Sequence, residues 1–493
     1  MKTMLPALLL CVFAVAGCYR YPAVPSSVAG STYTGRPAEG SSRSVALRRH
    51  LEGLKVLTLA EAQRLALENN PDFLAAWHAV SAARMALCQR RGEYSPVLSA
   101  EFSLSNRHAW TGQALRGTEP SDSRTDTFST STAVRADWLL FDGFGRLNRL
   151  REAADELDRR SALHENTRRI LLRQVAYAYN TVLLAIEERR IAEEDRRFQT
   201  TSLEDARSKF AAGRVARSSV LNFEILRNNA EVRMIAADYV YEAAVYALAV
   251  LMGCEEGTLP PPLKFESGFG DLPAELPSVE LYLDSALASR PDLRASRADV
   301  QRAYHLVLLA YADYFPVIKV FAAFGVSTAR NRFYGYSTRR PSSGSTNLSF
   351  AYGLTAELTI FDGLRRYNAV RERKAQLAAA ELGLAGEWFT VVGEVRAAHA
   401  NYRQAVKCAE LYLRNCELSR KQRELVMDQY RSGYCEITRF NEAQRDLVSA
   451  EANLATSRIN IYNAVAELEA AIGGAATAAG AGIPPRNAPA PAQ

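Results

Sequence analysis

The sequence predicts a mainly α-helical protein with a β-barrel part, built from two copies of one helix–strand–strand–helix unit. Three observations predict this fold class: a long internal repeat, four segments of alternating polarity, and long proline-free heptad stretches. Residues 57–253 recur at 277–473. A period this long describes duplicated halves rather than a solenoid. Each chain therefore presents the same type of surface twice.

Short motifs that recur at a nearly constant offset establish the repeat. Pro71-Asp72 recurs 220 residues later as Pro291-Asp292. We place the first repeat at 57–275 and the second at 276–473. The other matching pairs are Tyr94-x-Pro96 with Tyr314-x-Pro316, Phe141-Asp142-Gly143 with Phe361-Asp362-Gly363, Gly213 with Gly433, and Gly253 with Gly473.

The N-terminus predicts export from the cytoplasm. Lys2, a short apolar run and small residues before Cys18 indicate a secretory signal peptide over 1–17. The run is too short to span a bilayer as a helix. Val15-Ala16-Gly17-Cys18 resembles a bacterial lipobox, so we expect Cys18 to carry acyl chains such as palmitate; the alternative is an ordinary signal peptide with a chance cysteine. Residues 18–56 are expected to be a lipidated linker, and 474–493 a disordered tail.

Composition excludes several functions. The net charge is +6, and losing Lys2 leaves +5, without a basic block, so nucleic-acid binding has no support. The sequence has no His-x-x-x-His pair, phosphate loop or nucleophile elbow, so we expect neither an enzyme nor a metal or other cofactor. An odd number of cysteines follows Cys18, which disfavours a disulfide framework: Cys88, Cys254, Cys408, Cys416 and Cys435.

Four segments alternate between apolar and polar residues, and we place strands at about 96–107, 125–141, 316–328 and 345–361. Loops of Ser, Gly, Arg and Asn are expected near 106–125 and 328–345. The strand charges fall on odd-numbered positions, and large apolar residues such as Phe102, Trp138, Phe324 and Phe350 on even-numbered ones. The charges expected to face a water-filled lumen are Glu101, Arg135, Asp137, Lys319 and Glu357.

An apolar face opposite a charged face over about ten residues is typical of transmembrane β-barrel strands. The alternative is a half-buried sheet in a soluble protein. Four strands cannot close a barrel, and an open edge is not tolerated in lipid. Two, three or four chains would supply eight, twelve or sixteen strands, and three or more are preferred if the barrel conducts.

Long helices follow each strand pair. The stretches from Leu147 to Phe210 and from Leu364 to Tyr430 lack proline, and the second shows a clear heptad seam. Each would reach about 100 Å at ~1.5 Å per residue. Both stretches turn at a glycine, Gly213 or Gly433, before a returning helix.

The ordered set of motifs, present twice, resembles the outer-membrane efflux protein (TolC) family. Cys18 and Arg290-Pro291-Asp292 resemble its OprM-like lipoprotein branch. The resemblance implies a homotrimer in which a twelve-stranded outer-membrane barrel continues into a periplasmic α-helical coiled-coil tunnel. It also implies passive export in tripartite efflux or type I secretion, with a periplasmic adaptor and an inner-membrane RND or ABC pump. The outer-membrane lipids then surround the barrel.

The resemblance places the periplasmic tips and adaptor contacts at Gly213 and Gly433, and the pore constriction beside them. Many members carry aspartates where this chain has Ser219, Arg439 and Glu442, and a basic residue where it has Cys435. The tyrosine before the second glycine is kept as Tyr430. A constriction at Tyr430, Arg439, Glu442 and Ser219 is therefore expected, with solvated helix charges as the alternative. The usual acidic ring is mostly missing, which puts cation selectivity in doubt.

A second function class remains open at this point. A trimeric structural or adhesive outer-membrane lipoprotein would also contain a coiled-coil rod and a lipid anchor. Such a rod does not need four strands with lipid-facing residues, and this difference favours the exit duct.

Overall fold

The structure is a computed structural model that describes residues 42–113, 121–254, 256–260, 263–266, 277–335, 343–432 and 434–473. The predicted signal peptide, Cys18, Gly433 and the tail lie outside them. The first repeat comprises α1 (Ser42–Gly53), β1 (Val56–Leu57), α2 (Leu59–Asn69), α3 (Pro71–Gly92), β2 (Val97–Gln113), β3 (Ser121–Asp142), α4 (Gly145–Ala211), α5 (Arg217–Leu251) and β4 (Lys264–Phe265). The second comprises α6 (Val279–Ser289), α7 (Pro291–Ala312), β5 (Val317–Gly335), β6 (Ser343–Glu357), α8 (Arg365–Arg431) and α9 (Ile437–Ile472).

The predicted linker contains a folded part. Helix α1 buries Leu47 and Leu51, four residues apart, against the core formed by α2, α4 and α5. Strand β1 pairs in parallel with β4, which joins the two ends of the first repeat. The expectation of a linker throughout 18–56 is therefore wrong for its last third, because two leucines on one helical face suffice to dock it.

The four long strands form one antiparallel sheet in the order β2-β3-β5-β6. The two hairpins join through β3 and β5, so each repeat supplies one half of the sheet. Strands β2 and β6 form its edges. A register shift lies between Leu139 and Phe141, just before β3 ends.

Strands β2, β3 and β5 extend beyond the predicted bounds at the far end of the sheet, whereas β6 ends at Glu357, four residues before its predicted end. Pairing between β2 and β3 continues without interruption from Val97 opposite Asp137 to Gln113 opposite Ser121. The predicted long loops near 106–125 and 328–345 are therefore wrong in extent, because a backbone ladder does not require apolar side chains. The prediction that strand charges share one face also fails in these extensions. Charged or titratable residues lie there at even-numbered positions: His108, Arg124, Arg330 and Arg332. Asp126, inside the predicted strand 125–141, is also even-numbered.

The long helices form a layer in which α5 packs on α4, α4 on α9, and α9 on α8. Helices α4 and α8 each contain 67 residues, so each spans about 100 Å. The shorter helices α3 and α7 pack beside α4, where the layer approaches the sheet. Helices α5 and α8 are thus the edges of the layer.

The returning helices meet the short helices at equivalent junctions. In the first repeat Asn70 caps α3, and its Nδ2 donates to the Leu251 carbonyl oxygen at 3.1 Å. In the second repeat Arg290 is 1% exposed, and its Nη1 donates to the Ala471 carbonyl oxygen at 3.2 Å. The Arg290 guanidinium also binds Asp292 and, at 2.6 Å, Glu394. Arg169 of α4 reaches Asp292 of α7 at 3.1 Å, so this network ties four helices together, α4, α7, α8 and α9.

Candidate functional site

The charged residues predicted from the strands lie together on one face of the sheet. Ser99, Arg135 and Ala323 are direct neighbours across three strands, as are Val97, Asp137 and Phe321. Residues paired in this way share a face, as do residues two apart on a strand. The register therefore places all five on the odd-numbered face: Glu101, Arg135, Asp137, Lys319 and Glu357.

Two of these charges are paired with each other. The Nε of Arg135 lies 2.7 Å from an Asp137 carboxylate oxygen. The Arg135 guanidinium also lies 5.1 Å from the centroid of the Phe321 ring. Both charged side chains remain substantially exposed. The odd-numbered face is thus polar and fitted for contact with water.

The opposite face is apolar and exposed. Phe324 lies directly opposite Phe350, and Phe350 is 68% exposed. Phe102 and Trp138 share this face by register, and the Trp138 Nε1 donates to the Tyr94 carbonyl oxygen at 3.1 Å. Large apolar side chains exposed along the part of this face nearer the helices are typical of contact with a non-aqueous surrounding.

An elbow of two left-handed residues joins each hairpin to its long helix. Gly143 has φ +64° and Phe144 +67°, and the second repeat repeats this geometry at Gly363 and Leu364. A Cβ on Gly143 would lie 2.5 Å from the Ala312 carbonyl oxygen, so glycine is required there. The preceding Asp142 accepts from the Arg146 backbone N–H at 2.7 Å and from Arg149 at 2.8 Å. The Phe-Asp-Gly motif therefore sets the direction in which each helix leaves the sheet.

The first tip turns at Gly213, which has φ +70°. The Arg214 N–H donates to the Lys209 carbonyl oxygen at 2.9 Å, a bond that closes the end of α4. The equivalent bond at the second tip joins the Tyr434 N–H to the Gln429 carbonyl oxygen at 2.8 Å. Gly433 itself lies outside the described part of the chain. The two tips thus share one helix-ending geometry.

Tyr430 lies in an apolar cluster between the two helical hairpins, which we call the tip cluster. Its buried residues come from α4, α5, α8 and α9. The Tyr430 ring stacks on Phe440 with centroids 5.2 Å apart, and the Lys209 ammonium lies 5.4 Å from the Tyr430 centroid. Tyr430 therefore joins the hairpins by packing. The buried members are Leu203, Ala206, Phe223, Val426, Phe440 and Ala443.

The other predicted tip residues lie at the start of the returning helices. The Arg439 Nη1 lies 3.3 Å from a Glu442 carboxylate oxygen, and both side chains are more than half exposed. Ser219 lies in the first turn of α5 and is partly exposed, and its N–H donates to the Ala216 carbonyl oxygen. Within one chain, the structure brings Arg439 and Glu442 together as a surface ion pair.

A buried polar cluster above the tips escaped the sequence analysis. The Asp195 carboxylate of α4 is buried, forms an ion pair with Arg233 of α5, and accepts from Gln444 of α9 at 3.3 Å. Gln199, one turn further along α4, donates to Asp195 at 3.4 Å. The only sequence signal for this cluster is an aspartate and a glutamine four residues apart in a heptad stretch, Asp195 and Gln199. Their partners lie too far away in sequence to be identified from spacing.

The described residues contain no group of three or more His, Cys, Asp or Glu side chains that could hold a metal ion. By length and composition, one of their helices, α5, could cross a membrane. It belongs to the helical layer, where one side packs on α4.

Comparisons with known proteins agree with this architecture. The family model described as "Outer membrane efflux protein" matches residues 63–254 and 282–474, one match in each repeat. The solvent efflux pump outer membrane protein SrpC of Pseudomonas putida is 25% identical over 465 residues, covering 92% of this chain and 94% of SrpC. The alkaline protease secretion protein AprF of Pseudomonas aeruginosa is 26% identical over 276 residues, covering 55% of this chain and 56% of AprF.

A solved structure gives the same fold. The Campylobacter jejuni CmeC outer membrane channel superposes with a TM-score of 0.70 at 16% identity, covering 90% of this chain and 91% of CmeC. The observed repeat, sheet and helical layer are therefore those of outer-membrane channels. Because the family model matches both repeats over more than half of the sequence, the chain belongs to the outer membrane efflux protein family.

Proposed function

We propose that three copies of this chain form a passive exit duct through the outer membrane. The observation that carries the proposal is that the sheet of each chain has two open edge strands. Strands β2 and β6 each have one neighbour in the described sheet, and lipid does not tolerate an open edge. Three chains supply twelve strands, enough for a barrel with an aqueous lumen.

The helical layer has matching edges. Helix α5 exposes an apolar residue at every seventh position over three heptads: Ile225, Val232, Tyr239 and Tyr246. Helix α8, at the opposite edge, exposes Leu411, Leu418 and Leu425 with the same spacing. A heptad stripe packs against another helix in a left-handed coiled coil. The α5 edge of one copy therefore packs against the α8 edge of the next, closing a tunnel below the barrel.

The duct works with a periplasmic adaptor and an inner-membrane RND or ABC pump, which supplies the energy. Relatives named for solvent efflux and for alkaline protease secretion support export from the cell. The protein itself catalyses no reaction. It is located in the outer membrane and extends into the periplasm, and the outer-membrane rod or adhesin remains the less favoured alternative.

Individual residues have specific roles in the proposed duct. Cys18 anchors the chain in the membrane through its acyl chains. The odd-numbered strand charges line the lumen, and the even-numbered aromatic residues face lipid. The tips at Gly213 and Gly433 contact the adaptor. Tyr430, Arg439, Glu442 and Ser219 form the narrow resting aperture.

Planar-bilayer recordings combined with native mass spectrometry test the proposal. We expect a trimer of the purified protein and discrete single-channel conductance. As a matched comparison, Ile225→Asp should weaken the trimer through the α5 edge, whereas Thr201→Asp, at an exposed position of the inner helix α4, should not. A monomer, or a trimer without conductance, would contradict the exit duct and favour the adhesive alternative.

A further inference from the structure

The even-numbered face of the sheet is apolar near the long helices. At the end of the sheet away from those helices, the same face carries a basic cluster. We define the distal basic cluster as Arg124, Arg330 and Arg332, all at even-numbered positions. We propose that this cluster binds the phosphate groups of anionic lipids in the outer leaflet of the membrane. The inference rests on the barrel orientation of the proposed function and adds a ligand to it.

The height of the cluster fits the lipid headgroups. On β5 the even-numbered face is uncharged from Ile318 to Thr328 and then continues with Arg330 and Arg332. Ten residues at ~3.3 Å, tilted by ~40°, rise about 25 Å, the height of the apolar band of a barrel. The arginines therefore begin where the hydrocarbon ends. The long helices leave from the opposite end, at Asp142, so this boundary faces outward from the cell.

One arginine of the cluster is fixed in place. The Arg124 Nε and Nη2 lie 2.9 and 3.0 Å from the two carboxylate oxygens of Asp126. Its guanidinium lies 5.5 Å from the Trp110 ring centroid and 5.6 Å from that of Tyr334. Aromatic residues at this height are typical of the membrane interface. Arg124 thus forms a rigid, largely neutralised base for the cluster.

The other two arginines have no such partner. Arg330 and Arg332 are exposed, and neither makes a hydrogen bond or ion pair within the described part of the chain. Arg332 lies directly opposite Asp126 in the register, but that carboxylate is already bound to Arg124 and to His108 Nδ1 at 2.6 Å. Three arginines against one aspartate leave an excess of two positive charges.

A lipid phosphate can satisfy both of these exposed groups. The Cα atoms of two residues that are two positions apart on one strand lie about 7 Å from each other, so their guanidinium groups can reach one phosphate. Each presents paired N–H donors that match phosphate oxygens. Their position beside an exposed apolar band favours an amphipathic ligand whose acyl chains lie against that band. The occupant is therefore an anionic lipid with a phosphorylated headgroup.

Native mass spectrometry of the trimer in non-ionic detergent tests this site, with diphosphorylated lipid A as the probe. We expect lipid A to be retained, with phosphatidylethanolamine and inorganic phosphate retained far less. The R330Q/R332Q variant should bind lipid A about thirty-fold more weakly, given ~1 kcal/mol for each arginine at an anionic surface. The R330K/R332K variant keeps the charge but loses the paired N–H donors, so its binding should fall between that of wild type and that of R330Q/R332Q.

Arg107 provides the matched control. It lies at the same height on the odd-numbered face, on the rung of Thr127 and Asn331. Arg107→Gln should leave lipid A retention unchanged. Equal retention by wild type and R330Q/R332Q, or equal loss in Arg107→Gln, would overturn the inference. The same spectra report the oligomer mass, so a missing trimer would count separately against the exit duct.

Discussion

The buried guanidinium of Arg290 donates to the carbonyl oxygen of Ala471, at the position where Asn70 donates to Leu251 in the first repeat. The two copies thus close the same junction with different side chains. An asparagine makes this bond without a charge. An arginine at the same place must be neutralised, and Asp292 and Glu394 do so.

We expect Arg290→Met to destabilise the protein by about 3–5 kcal/mol, because it leaves the Asp292 carboxylate short of a partner in a buried site. Arg294→Ala is the control. It removes an ion pair with Glu165 whose two side chains are about half exposed, and should cost less than about 1 kcal/mol. Unfolding of the purified protein by denaturant measures both. Equal losses would show that the buried network adds no special stability.

The same network predicts a loss of stability in acid. Burial disfavours the charged form of Asp292, but the hydrogen bonds and charge of Arg290 outweigh burial, so the pKa of Asp292 lies below its ordinary value. A carboxyl with a lowered folded pKa stabilises the protein above its unfolded pKa of ~3.9, and this contribution disappears as the pH falls through the folded pKa.

Asp292→Asn should therefore lower the unfolding midpoint at pH 7, and the difference from wild type should shrink below about pH 4. Thermal unfolding at a series of pH values measures it. Ser285→Ala, on α6, is the control: it removes no titratable group, so its difference from wild type should be the same at every pH. A constant difference for Asp292→Asn would rule out the linkage.

The two faces of the sheet should differ in their tolerance of charge. Phe350→Arg places a charge on the apolar face and should cost ~2–4 kcal/mol near mid-membrane. Ser349→Arg, one residue away on the polar face, should be tolerated. Trimer yield in isolated outer membranes compares them. Similar yields would mean that the even-numbered face does not contact lipid.

The ion pair at the second tip should restrict the resting pore. Three copies of Glu442 near one axis would repel each other unless Arg439 pairs with them, as it does at 3.3 Å within the chain. Arg439→Ala and Glu442→Gln should each raise single-channel conductance, and the double variant should add little. Glu442→Gln should also change ion selectivity. Unchanged conductance and selectivity in both single variants would mean that these are solvated charges and that the aperture lies elsewhere.

The lipid anchor has a direct test. Cys18→Ser should abolish incorporation of radiolabelled palmitate, while the barrel still inserts. Cys88→Ser, at an exposed position of α3, should label like wild type. Wild-type protein that carries no acyl chain, or that fractionates with the inner membrane, would refute the anchor.

Much of the fold follows from local patterns in the sequence. The offset of 220 residues between Pro71 and Pro291 required two similar halves, and the proline-free heptads gave long helices whose observed ends lie within about two residues of the predicted ones. The alternation of apolar and polar residues predicted which strand residues share a face, because side chains on a strand alternate. That argument holds from Leu98 to Leu104 and fails beyond, where polar residues occupy both faces.

The missed features depend on contacts between distant residues. Asp195 and Gln444 are 249 positions apart, and nothing near either one identifies the other. The role of Tyr430 as a packing residue depends on Phe440 and Lys209, which belong to other helices. Such contacts can be predicted only when the order of the helices in the layer is known.

The elbows at Gly143 and Gly363 have a mechanical consequence. Each begins a helix about 100 Å long, so a rotation of about one degree at the elbow moves the far end by about 1.7 Å. Asp142 and Asp362 each bind the backbone N–H and a side chain of the helix that follows, which resists such rotation at its origin. An angular change of a degree at a clamped pivot therefore becomes a displacement of ångström size at the tip of the hairpin, without deformation of the sheet.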